Sequence, residues 1–156
     1  MVSSLSDIGL FLDSVRIPLR LSCKTRSDWP IVISLWYLHQ NGQLLCATQQ
    51  SAKVISYLQN DPRCAFEIAE DHPPYCGVRG QAIATLDNSI GPDVLKQLLQ
   101  RYLGSTQNSL AINLLAKSET EVAIVLKPIR IFTWDFSDRM REVIQPVSDL
   151  TSKICP

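Results

Sequence analysis

Asn41-Gly42 lies between two apolar runs, Ile31 to Leu38 and Leu44 to Ala47. An Asn-Gly pair between apolar segments is the strongest short-range hairpin signal, because both residues tolerate the left-handed backbone of a tight antiparallel turn. The feature therefore predicts two adjacent antiparallel strands early in the chain. The second run leads into Thr48-Gln-Gln-Ser51-Ala-Lys53, which opens a helix-like segment. Hydroxyls and an ammonium at a helix start, beside unpaired backbone N–H groups, suit a phosphate. An anion site beside the end of a β-hairpin is the resulting expectation.

The rest of the chain extends this pattern. Ser6-Asp7 precedes a short amphipathic helix over Ile8 to Val15, and Ile17 to Lys24 alternates as a half-buried strand does. Ser51 to Asn60 reads as a helix with Val54, Ile55 and Leu58 on one face, stopped by Asn60-Asp61-Pro62. Strands follow at Cys64 to Ala69 and Tyr75 to Leu86, the latter carrying two glycines that suggest a bulge. Pro92 starts a helix over Asp93 to Leu103, with an apolar stripe and Gly104 as its stop. A short helix over Leu110 to Lys117 and a long strand over Glu121 to Trp134, single or broken at Pro128, complete the pattern. About six strands with inserted helices, without βαβ alternation, predict an α+β barrel over residues 1–141 and a C-terminal arm or tail over 142–156.

Composition narrows the function classes. Fifteen basic and fifteen acidic residues cancel, which disfavours nucleic acid as a partner. The longest apolar runs fall far short of the roughly 20 residues that span a bilayer, and the N-terminus does not read as a signal peptide, so a cytoplasmic location away from membranes is expected. Cys23, Cys46, Cys64, Cys76 and Cys155 form no Cys-x-x-Cys pair and read as reduced, structural thiols. His39, two residues before the Asn-Gly turn and expected at the surface, and His72, in the Asp-His-Pro-Pro loop, lack ligand-spaced companions, so no metal is assigned. Neither a Gly-x-Ser-x-Gly motif nor a Cys-His dyad supports hydrolysis.

Taken in order, several segments resemble the pyridoxamine 5'-phosphate oxidase-like superfamily of FMN-binding split barrels. They are Arg20-Leu-Ser-Cys23, Ser34-Leu-Trp-Tyr37, Cys46-Ala-Thr48 with Ser51-Ala-Lys53, Asn60-Asp-Pro-Arg63, Pro74-Tyr75 with Gly77-Val-Arg-Gly80, Arg101-Tyr-Leu-Gly104 and Trp134-Asp-Phe136. The resemblance implies a six-stranded antiparallel split β-barrel with inserted helices, forming a homodimer with the cofactor at the subunit interface. It implies a flavin phosphate held by Ser51 and Lys53, with Ala47, Thr48 and Ala52 beside them. It places the flavin ring along Ile33, Ser34, Leu35 and Trp36, and makes Arg79 and Trp134 contacts across the interface.

The chain departs from the oxidases proper, which carry Arg at the positions of Ile31 and Ala52; two phosphate-pairing charges are thus absent. A relative that binds FMN, a deazaflavin coenzyme or haem fits better, either as a flavin-dependent oxidoreductase of unknown substrate or as a carrier without turnover. Trp36 and Tyr37 are more often packing aromatics than cofactor platforms, and as strand neighbours they face opposite ways. Arg101-Tyr102 reads as helix surface plus core edge.

Overall fold

In the computed structural model, which describes residues 8–141, the Asn41-Gly42 turn joins Leu38–Gln40 (β3) to Gln43–Gln49 (β4), with Gln40 opposite Gln43. Both turn residues have positive φ, 52° and 71°, as the I′-type two-residue link requires. The other strands are Leu19–Lys24 (β1), Pro30–Leu35 (β2), Arg63–Ala69 (β5), Cys76–Asp87 (β6) and Glu121–Asp135 (β7). The helices are Gly9–Ser14 (α1), Lys53–Asn60 (α2), Gly91–Leu103 (α3) and Ser109–Leu115 (α4). Ser6 and Asp7, Cys155 and the arm proposed for 142–156 lie outside the described residues.

All seven strands form one antiparallel sheet in the order β2-β1-β5-β6-β7-β4-β3. The count is seven, not six, because the run from Ile31 to Leu38 is two strands on opposite edges of the sheet. The break has a physical cause. Leu35 pairs with Leu19, the first residue of β1, and Pro18 before it has no N–H with which to extend the ladder. Trp36 and Tyr37 then carry the chain to the other edge. Leu35 and Leu38 are only three peptide units apart, so the two edges come within about 11 Å of each other there and the sheet must roll up.

The rolled sheet encloses a core of Leu19, Leu21, Tyr37, Phe66, Ile68, Val78 and Leu126 among others, and Val54, Ile55 and Leu58 of α2 close one end. On the reverse side of β4 and β7, α3 buries Val94, Leu95, Leu98 and Leu99, with Ala111 of α4 beneath it. That helix starts two residues earlier than the sequence suggests, with Pro92 in its first turn, and Gly104 ends it at φ 67°. Asn108 caps α4 by accepting a hydrogen bond from the Ala111 amide. The bulge expected at the glycines of β6 is carried by its partner. Gln81 faces Arg130 and Ala82 faces Pro128, which leaves Ile129 unpaired in an otherwise continuous β7.

The crossing at Trp36-Tyr37 is fastened from α3. Tyr102 stacks on Trp36 at 5.0 Å, its hydroxyl accepts from the Tyr37 amide at 3.4 Å and donates to the Ile17 carbonyl at 3.3 Å. The Tyr37 hydroxyl donates to the Leu12 carbonyl at 2.7 Å. Arg101, expected on the surface, is part-buried: it donates to the carbonyls of Leu12, Asp13 and Val15 and lies over the rings of Tyr37 and Tyr102. One guanidinium thus satisfies carbonyls left over at the end of α1. Arg101→Ala should cost roughly 2–3 kcal/mol, the worth of a few non-additive charge-assisted bonds. A lowered urea midpoint at unchanged slope would show it.

Candidate functional site

β4 ends at Gln49, and residues 50–52 turn into α2. The turn is closed by the Ala52 amide donating to the Gln49 carbonyl at 2.9 Å. The residue before the helix is Ala52, so no side chain caps α2, and Ser51 does not take that role. The helix therefore begins two residues later than its sequence pattern suggests. The amides of Lys53 and Val54 are left as unpaired donors of the first turn. Among the described residues, the side chains of Thr48, Ser51 and Lys53 make no hydrogen bond or ion pair, and Ser51 and Lys53 are exposed. Uncapped amides, two hydroxyls and one ammonium form a donor set suited to a phosphate.

Behind this turn lies a buried carboxyl that the sequence reading did not single out. Glu121 is 4% exposed. Its Oε1 accepts from the Gln49 side-chain amide, while its Oε2 is buried with no partner among the described residues. Burial pushes its pKa above the usual carboxylate range, and the Gln49 bond partly opposes that. Gln49 also donates to the Lys117 carbonyl and accepts from the Thr120 hydroxyl.

A second feature lies on the outer face of the sheet. Ser34, Arg20, Glu67, Arg79 and Phe132 are successive cross-strand partners through β2, β1, β5, β6 and β7. Beside this row is a concavity of about 540 Å3, floored by Ser22 and Ala65 and walled by Val32, Phe132 and Arg79. Val32 is 66% exposed and Phe132 44%. Arg79 lies 5.5 Å from the centre of the Trp134 ring. That ring packs so closely on Gly77 that an added Cβ would sit 2.7 Å from it, which accounts for the glycine.

The predicted site residues thus divide into groups. Ile33 and Leu35 turn into the barrel core, and Ser34 faces outward. Trp36 and Ala47 pack together over α3, on the side opposite Tyr37. Thr48, Ser51, Ala52 and Lys53 share the β4–α2 turn, while Arg79 and Trp134 share the outer face of β6 and β7. Thr48 is opposite Val122 and Arg79 is opposite Phe132, ten residues further along β7. At about 3.3 Å per residue that is roughly 30 Å along one strand.

His39, expected at the surface, is largely buried instead. Its side chain is 11% exposed, with Nδ1 3.3 Å from Asp13 and Nε2 unpartnered among the described residues. The packing of α1 beside β3 covers it, a long-range contact with no local signature. His72 is exposed, in the loop between β5 and β6. Burial raises the thiols of Cys23, Cys46 and Cys64, the last to about 12, which agrees with structural roles. Among the described residues no helix is long and apolar enough to cross a membrane.

No protein-family model and no curated protein matches the chain. Solved structures do. The conserved hypothetical protein Rv2991 of Mycobacterium tuberculosis aligns at 20% identity and TM-score 0.73, over 94% of this chain and 91% of that one. An F420 reductase aligns at 15% identity and TM-score 0.67, over 78% and 94%. A putative pyridoxamine 5'-phosphate oxidase of Listeria innocua aligns at 18% identity and TM-score 0.62, over 83% and 97%. Further matches are a haem storage protein of Vibrio cholerae and FAD-binding proteins. The structural neighbours are pyridoxamine 5'-phosphate oxidase-like split-barrel proteins, and the chain shares their fold.

Glu121 gives a pH-dependent expectation. A carboxyl whose folded-state value is raised contributes stability while protonated, and loses it as the pH rises through that value. Glu121→Gln should therefore gain melting temperature over the native chain above that pH, with no gain below the ordinary carboxylate range. Parallel melting curves across pH check it.

Proposed function

We propose that the chain is an FMN-binding, flavin-dependent oxidoreductase working as a cytoplasmic homodimer, with the cofactor phosphate on the β4–α2 turn. The observation that carries this reading is the uncapped start of α2 beside the unengaged side chains of Thr48, Ser51 and Lys53. Two amides, two hydroxyls and an ammonium fit a terminal phosphate without the arginines that the oxidases proper place at the positions of Ile31 and Ala52. β2 is an edge strand, so alternate residues from Ile33 to Trp36 direct backbone groups away from β1 and toward a ring laid along it. Bound FMN would supply hydride-transfer chemistry, for which the chain needs no acid or base of its own. The chain's own tasks are to bind the phosphate, orient the ring and exclude water.

The spacing along β7 supports the dimer in this reading. Arg79 and Trp134 lie roughly 30 Å along β7 from the residue that faces Thr48, at the far end of the same strand. A second copy brings its own pair to the turn, and the exposed apolar Val32 and Phe132 on the outer face suit burial against it. A second reading, a carrier of flavin, deazaflavin or haem without turnover, is favoured by the absent phosphate arginines. The names of the neighbours span the same range, with an F420 reductase and a haem storage protein among them.

The absorption spectrum of purified protein separates the readings. Flavin bands, followed by oxidation of reduced nicotinamide cofactor, support the oxidoreductase; a Soret band supports haem. A colourless chain indifferent to added FMN overturns both. Lys53→Ala should weaken FMN binding by about ten- to a hundredfold, one charged hydrogen bond's worth, and an unchanged dissociation constant would remove Lys53 from the phosphate.

A further inference from the structure

Glu121 is 4% exposed at the first position of β7, opposite Gln49 in the β4–β7 ladder. A carboxyl there is expensive to bury, and its Oε2 has no compensating partner among the described residues. An apolar pair would fill the same ladder position at lower cost. What the carboxyl does provide is attachment. It receives the Gln49 side-chain amide, and the same side chain bonds to Lys117 and Thr120. Next along the chain, the Gln50 amide donates to the Thr120 carbonyl at 2.8 Å, and the Gln49 carbonyl receives the Ala52 amide. The segment from Gln49 to Ala52 is thereby hung on residues 117–121. Its direction decides where the amides of Lys53 and Val54 point.

We propose that Glu121 is a positioning residue for the anion-binding turn, acting through Gln49 to keep the first amides of α2 presented to a phosphate. The inference rests on the phosphate role proposed for that turn. It assigns Glu121 a geometric task, acceptance of one amide bond, and no contact with the ligand.

The test compares native protein with Glu121→Ala, Glu121→Gln, Gln49→Ala and Lys53→Ala. Each is titrated with FMN and with inorganic phosphate, and amide hydrogen exchange over residues 49–54 is followed without ligand. Glu121→Ala and Gln49→Ala should each raise the FMN dissociation constant about tenfold, the worth of one hydrogen bond, and speed exchange at Gln50 and Ala52. Glu121→Gln keeps the acceptor oxygen and should restore both readouts. Gln49→Ala leaves the carboxyl in place, so it carries the test if Glu121→Ala fails to fold. Native-like FMN binding by Glu121→Ala and Gln49→Ala, with Lys53→Ala weakened, overturns the inference and leaves the turn's role standing. Native-like binding by Lys53→Ala overturns both. Equal losses in Glu121→Gln and Glu121→Ala overturn the geometric role, since the charge rather than the acceptor would then matter.

Discussion

The hydroxyl of Tyr102 sits where the chain crosses between the two edges of the sheet and has no ladder to satisfy its backbone. Trp36 and Tyr37 take the chain from the first edge of the sheet to the last, and the Tyr37 amide is left without a strand partner. Tyr102 accepts from it and passes its own proton to Ile17, while Arg101 holds the end of α1 against the same crossing. The end of β1 at Leu19 stops the apolar run from pairing further, and this fastening holds the crossing that lets it resume against β4. The roll of the sheet, the burial of Tyr37 and the seat of α3 all follow from it.

Much of this was legible in residue order. The Asn41-Gly42 turn, the α2 face of Val54, Ile55 and Leu58, and the Pro92-to-Gly104 helix each rest on local chemistry, and each is present. What escaped depends on contacts far apart in the chain. Ile31 to Leu38 looks continuous because its apolar character is continuous, and only the end of β1 at Leu19 divides it. Arg101 looks like helix surface because its carbonyl partners lie 86 to 89 residues away. His39 looks exposed because it sits two residues before a turn, and α1 covers it from elsewhere. The candidate site was half legible: polar residues at a helix start announce themselves, but their attachment to Glu121 does not. One faint signal existed, an acidic residue opening the apolar run of Val122 to Leu126.

β7 gives the molecule its scale. It borders both β4, which leads into the turn before α2, and β6, which carries Arg79 over Trp134. The bulge at Ile129 lets so long a strand bend with the rolled sheet and keep its pairing on either side of that residue. Its two halves thus serve different surfaces, one behind the turn and one on the outer face.

The bare beginning of α2 has an implication beyond recognition. Ser, Asp or Asn in place of Ala52 would ordinarily contribute about 1 kcal/mol by capping those amides. Under the phosphate role proposed for this turn, that contribution would come from the bound anion. Folding and occupancy would then be linked by mass action, so the surviving fraction of native chain would rise and fall with the supply of that ligand. In a cell, scarcity of the guest would show first as faster clearance of the protein itself.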